Sequence, residues 1–216
     1  NPLVISATNS QTVLGSNNTP LNEGTQVADD LVESFTIKTA TVITAASSFT
    51  KTVLDPDFSI GATSNNPGSI SYSSNNEGVA KVGPTGIVDL LSAGTATITL
   101  TQAESGTYGP GSKTITVTVN KITPTLSAFP NLTKTFGDPT FQLIAPSSTG
   151  DGGITYTSST TSVATVNSAT GQVTLGNAGS TTITATQAAT SNYNAATIAL
   201  TLTVNKASQS INVGAL

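Results

Sequence analysis

The chain has 216 residues, a formal net charge of −4, and only 8% charged and 36% hydrophobic residues, which is room for one large or two small domains. It contains no Cys and no His, and all seven basic residues are lysines, so disulfides, thiolate chemistry and histidine-based catalysis or metal binding are excluded. With no guanidinium and a net negative charge, nucleic-acid recognition is disfavoured, and no apolar run approaches the ~20 residues that a membrane-spanning helix needs.

Residues 1–34 form a leader with one strand-like patch, Leu3-Val4-Ile5, followed by a polar stretch rich in Asn, Gly and Thr. It reads as an arm, a linker or the end of a preceding module. From there on the chain repeats itself. Ile70-Ser71-Tyr72-Ser73-Ser74 recurs as Ile154-Thr155-Tyr156-Thr157-Ser158, and Val79-Ala80-Lys81-Val82 as Val163-Ala164-Thr165-Val166. Thr101-Gln102-Ala103 recurs as Thr186-Gln187-Ala188, and Val119-Asn120-Lys121 as Val204-Asn205-Lys206. Upstream, Lys51-Thr52 with Asp55-Pro56 matches Lys134-Thr135 with Asp138-Pro139. All four tyrosines pair up, Tyr72 with Tyr156 and Tyr108 with Tyr193, as do Gly86 with Gly171 and Gly94 with Gly179. The spacing drifts one residue at a time, as single-residue loop insertions produce.

These matches divide the chain into a first module over 35–120 and a second over 121–205. Residues 206–216 are expected to open a third module, because Lys206-Ala207-Ser208-Gln209-Ser210-Ile211 resembles Lys121-Ile122-Thr123-Pro124-Thr125-Leu126.

Within each module the strands declare themselves by alternation. Ile115, Val117 and Val119 fall on one face, as do Ile198, Leu200, Leu202 and Val204; Ile98 with Leu100 and Ile183 with Ala185 do the same. Turn formers separate them, at Asn65-Asn66-Pro67-Gly68, Gly83-Pro84-Thr85-Gly86, Gly109-Pro110-Gly111 and Gly150-Asp151-Gly152-Gly153. No stretch has helical apolar spacing. The fold class is therefore all-β: tandem immunoglobulin-like β-sandwiches. Cores this small should lean on their rings, so Phe58, Tyr72 and Tyr108, with Phe141, Tyr156 and Tyr193, are expected to be buried or half-buried. No flexible linker separates Val119 from Ile122, which predicts an extended, semi-rigid pair.

On these residues the second module resembles a bacterial immunoglobulin-like repeat of the group 2 type. The resemblance rests on Ile-Thr-Tyr-Thr-Ser-Ser (154–159), Val-Ala-Thr-Val (163–166), Thr-Ile-Thr-Ala-Thr-Gln-Ala (182–188) and Asn-Tyr-Asn-Ala-Ala (192–196), with Lys-Thr-Phe-Gly-Asp-Pro (134–139) similar to the opening of related modules. The first module follows more loosely, with Val53-Leu54-Asp55 in place of Phe136-Gly137-Asp138. The resemblance implies a non-enzymatic stalk or binding module of a secreted or cell-surface protein. Its partners would be neighbouring modules of the same array and surface glycans or proteins. The alternatives it leaves open are a virion component and a self-assembling extracellular fibre subunit.

No catalytic, cofactor-binding or metal-ligating residue is assigned. Asp55 with Asp57, and the doublet Asp29-Asp30, have the look of the carboxylate pair of glycoside hydrolysis, but the second module keeps Asp138 and places Thr140 where Asp57 stands, so turn capping is the expected role. Calcium needs only oxygen ligands, and Asp138 and Asp151 are the second module's acidic candidates for a structural ion. The recurring Lys51/Asp55 and Lys134/Asp138 raise a Lys–Asn crosslink, against the plainer reading of an edge-strand lysine that discourages sheet pairing. Asn17-Asn18-Thr19 and Asn131-Leu132-Thr133 match the glycosylation pattern, as chance allows in so Asn- and Thr-rich a chain.

Overall fold

The computed structural model describes residues 38–211. The leader, with Leu3-Val4-Ile5, Asn17-Asn18-Thr19 and Asp29-Asp30, lies outside the described residues. Among the described residues every regular element is a strand. In chain order they are β1 (Ile43–Thr44), β2 (Ser48–Thr52), β3 (Phe58–Ser59), β4 (Thr63–Ser64), β5 (Ile70–Ser74), β6 (Ala80–Val82), β7 (Ile87–Leu90), β8 (Gly94–Gln102) and β9 (Gly111–Asn120). Then follow β10 (Leu132–Thr135), β11 (Phe141–Gln142), β12 (Ile154–Ser158), β13 (Ala164–Val166), β14 (Gln172–Leu175), β15 (Gly179–Gln187) and β16 (Ala196–Asn205).

The chain folds as tandem β-sandwiches built to one plan. In the first, a four-stranded sheet of order β2-β9-β8-β5 faces a three-stranded sheet of order β3-β7-β6; in the second, β10-β16-β15-β12 faces β11-β14-β13. The edge strands β2 and β10 run parallel to β9 and β16, while the other pairings are antiparallel. A small pairing of β1 with β4 is added in the first module, where the second makes only a single bridge, Leu126 to Ser148.

Alternation along the long strands builds the cores. β9 and β16 carry the same burial pattern from end to end. Ile115, Val117 and Val119 point inward with Ile98 and Leu100 against Val88 and Ala80; Leu200, Leu202 and Val204 do so with Ile183 against Val173 and Ala164. Each fully buried Ile or Leu contributes roughly 1.5–3 kcal/mol of apolar transfer. The residues between them, largely Thr and Ser, clothe the wet faces. The two clusters are separate, so each sandwich has its own core.

The paired tyrosines explain the paired glycines. Gly86 and Gly171 both turn at φ +75°, a conformation that costs a side-chain-bearing residue roughly 1–2 kcal/mol. A Cβ there would also lie 2.9 Å from Tyr72 Cζ or 3.0 Å from Tyr156 Cε2. The tyrosine ring lies against the glycine, and the glycine carbonyl accepts from Ile60 N–H at 2.9 Å or Leu143 N–H at 3.1 Å. Of the six rings expected inside, Tyr156 is buried and Phe58, Tyr72, Tyr108, Phe141 and Tyr193 are half-buried.

Candidate functional site

Among the described residues, the acidic and basic candidates make local contacts within their own modules. Asp55 caps its own turn: its carboxylate accepts from Thr52 N–H at 2.9 Å and from the Thr52 hydroxyl at 3.0 Å, while Asp55 N–H donates to Thr52 C=O at 3.1 Å. Those bonds from the Thr52 amide and hydroxyl hold the Asp55 carboxyl below its ordinary range, with Lys51 adding a smaller pull. Asp138 repeats the cap on Thr135 N–H at 2.9 Å. Asp57 is exposed and takes no part in it. Asp151 accepts from the Thr190 hydroxyl at 2.7 Å, beside the N-terminal end of β16, whereas Asp138 caps Thr135, which is paired with Asn205 at the other end. Asp138 and Asp151 therefore share no site, and among the described residues no three acidic groups converge.

The lysines are edge-strand residues stacked on rings. Lys51 Nζ lies 5.1 Å from the centre of Phe58 and Lys134 Nζ lies 4.8 Å from that of Phe141. The register sets Lys51 opposite Val119 and Lys134 opposite Val204. Asn120 and Asn205, one step along, project from the other face, so neither lysine meets an asparagine there. Asn131 is exposed, and its Oδ1 accepts from Thr201 N–H at 2.7 Å. In the tail, Lys206 to Ile211 is exposed and carries no regular element.

Periodicity gave no hint of a role for the glutamines. Gln102 and Gln187 are almost wholly buried at the ends of β8 and β15. The Gln102 amide donates to Asn66 C=O at 2.9 Å and to Gly68 C=O; the Gln187 amide donates to Gly152 C=O at 3.1 Å, and its oxygen accepts from the Ser148 hydroxyl. Each stitches the loop before β5 or β12 onto its own sheet.

The ends of the sandwiches hold a second repeated arrangement. In the first module Thr39 N–H donates to Thr107 C=O at 2.7 Å and Gly109 N–H returns to Thr39 C=O at 2.9 Å. In the second, Ile122 N–H donates to Asn192 C=O at 3.0 Å and Asn194 N–H to Ile122 C=O at 2.8 Å. The Tyr108 and Tyr193 loops thus each receive the incoming chain as a short parallel bridge. Lys121 Nζ adds a bond to Thr190 C=O at 2.7 Å. From the same loop Asn192 Oδ1 reaches across to the first module and accepts from Ala93 N–H at 3.1 Å. The connector is therefore a segment bridged to the domain it enters, with a polar latch to the domain it leaves.

The model of the family described as "Intimin, immunoglobulin-like domain" matches residues 142–189, from β11 through β15. The second module is a bacterial immunoglobulin-like repeat. The repeat plan extends to the first module through the shared strands, tyrosines and glycines. Among solved structures, the chain is similar to domains EC1–3 of Drosophila N-cadherin (15% identity, 78% of this chain and 67% of that one, TM-score 0.31). It is also similar to human protocadherin-24 EC1–2 (16%, 79% and 100%, TM-score 0.33) and to domains 1–6 of the surface layer protein SbsC (24%, 65% and 20%, TM-score 0.31). The chain thus spans a fifth of that surface layer structure. No curated protein matches the sequence. Among the described residues no helix is long and apolar enough to cross a membrane.

Proposed function

We propose that this chain is a non-enzymatic stalk and display segment of a long secreted or cell-surface bacterial protein, with neighbouring modules as its standing partners and surface glycans or proteins as partners of the array. The observation that carries this reading is the junction. Strand β9 passes through Asn120 into a connector that pairs at once with the Asn192–Asn194 loop, and Asn192 bonds back to Ala93. A join without slack limits relative rotation and carries reach from one module to the next. The outer faces add support: charge-poor and clothed in Thr and Ser, they suit a module exposed to the exterior.

Two measurements test the reading. Small-angle scattering of the chain should give the profile of a rod two sandwiches long; a compact, globular profile overturns the stalk. Gold-labelled antibody against the second module should then decorate the cell envelope of the source. Label confined to filaments shed from the cell would favour a fibre subunit, and label on virus particles a virion component.

A further inference from the structure

The C-terminal end of the second module repeats the turn and the connector found at the C-terminal end of the first. Ala93, in the turn before β8, gives its N–H to Asn192. Its counterpart Ala178, in the turn before β15, makes no hydrogen bond through its N–H within the described residues. The turns are held alike: Leu91 N–H donates to Val79 C=O at 2.9 Å, and Gly176 N–H to Val163 C=O at 2.8 Å. Gly94 and Gly179, which follow at φ +152° and +154°, back onto Val79 and Val163.

The connector repeats as well. Thr39 and Ile122 each exchange two backbone bonds with the tyrosine loop of the module they enter, and Lys121 reaches Thr190 C=O. Lys206 and Ala207 follow β16 as Lys121 and Ile122 follow β9, yet they are exposed and make none of these bonds. Around them is a hollow lined by Phe136, Ala178, Lys206, Ala207 and Gln209. Phe136 is 51% exposed, although its counterpart Val53 packs against the first core.

We propose that this end of the second module is a socket for one occupant: the tyrosine loop of a further immunoglobulin-like module carrying an asparagine where Asn192 stands. In the socket the loop's asparagine accepts from Ala178 N–H, its backbone pairs with Ala207, and its flanking carbonyl takes Lys206. The side chain at that loop position makes the socket selective. The first module has Thr107 there, whose shorter side chain lacks the reach of Asn192. A loop of the second module's type fits behind either module, and one of the first module's type does not form the latch. The proposal deepens the array reading above and rests on it.

The test extends the chain by its own residues: 1–211 continued with a second copy of 127–211, so that the native Lys206–Ile211 serves as connector. Amide exchange by NMR reads Ala93 and Ala178 in both proteins. In the original chain Ala93 should be protected and Ala178 not. In the extended chain Ala178 exchange should slow on the order of tenfold, the worth of one hydrogen bond. Asn192→Ala in the added copy should abolish that protection, and Asn192→Asp, which keeps the acceptor, should retain it. If Ala178 still exchanges freely while Ala93 is protected, the socket is overturned and the array reading stands. If Ala93 also exchanges freely, the junction itself is loose and both readings fall. An added copy that does not fold also counts against the socket, since the same residues fold behind the first module.

Discussion

The first module closes the edge of its sandwich with an aromatic pair, Phe49 against Phe58 at 4.7 Å between ring centres. The second has Leu132 where Phe49 stands, and there a hollow of about 330 Å³ opens among Phe129, Leu132, Lys134, Phe141, Leu143 and Ile144. Ile144, 90% exposed, lies at its rim. The second module compensates elsewhere: Tyr156 is 4% exposed and tilts against Phe129 at 6.4 Å, while Tyr72 is only half-buried. Two copies of one plan thus place their aromatic weight at different points, the first at the β2 edge and the second on Tyr156 of β12, the strand at the opposite edge of the four-stranded sheet, against Phe129. The backbone register fixes where a ring is admitted, and local side chains decide which ring bears the load.

The strongest way to break this comparison is to remove the tyrosine from each copy in turn. Tyr156→Ala should cost ~3–5 kcal/mol and unfold the second module at ambient temperature while the first stays folded. Tyr72→Ala should cost less. A calorimetric scan resolving two transitions checks both, and equal losses would show that burial does not set the ranking. Gly171→Ala comes next. It combines a positive φ with a Cβ 3.0 Å from Tyr156, so a loss of about 1–2 kcal/mol is the minimum expected. Here the two copies should agree, because Gly86→Ala meets Tyr72 in the same way.

Much of this was legible in the sequence, and the limits have physical causes. Strict alternation in Ile115-Thr116-Val117-Thr118-Val119 reveals both a strand and its dry face, because a strand's side-chain period is two. The paired tyrosines and glycines marked the repeat and the core together. Gln102 and Gln187 stood out only as repeat markers, since their partners are carbonyls of loops whose path leaves no periodic trace. The latch was hidden for the same reason. Asn192 is a visible side chain, but its partner is a backbone N–H in the other module, and any residue but proline could supply that. The carboxylates were legible as turn caps because Thr52 and Asp55, like Thr135 and Asp138, sit at the short spacing of a capped turn.

A smaller change would sharpen the comparison by erasing it. Leu132→Phe installs the first module's ring pair in the second, against Phe141 and beneath Lys134. Filling an existing hollow of this kind commonly adds ~0.5–2 kcal/mol. The second transition should therefore rise by a few degrees and the first should not move. The reciprocal Phe49→Leu should lower the first transition alone. If Leu132→Phe leaves the second transition unchanged or lowers it, the hollow is too shallow to seat the ring and the two edges differ in backbone as well as in side chain.

The smallest expected effect separates the two capped turns by acid. Asp55 takes two bonds from Thr52, through amide and hydroxyl, whereas Asp138 takes one from the Thr135 amide. The Asp55 carboxyl is held below its ordinary value of 3.8, chiefly by the Thr52 amide. A carboxyl whose pKa is lowered in the folded state binds protons more readily in the unfolded chain. Its contribution is therefore fully present above 3.8 and is lost as pH falls through the lower folded value. The first module's transition should decline as the solution is acidified below about pH 4, and Asp55→Asn should flatten part of that decline while lowering the transition slightly at neutral pH. Melting curves of the wild type and Asp55→Asn between neutrality and pH 2 check it. An unchanged slope in the variant would mean that other carboxylates carry the first module's acid response, leaving the Thr52 turn a matter of geometry alone.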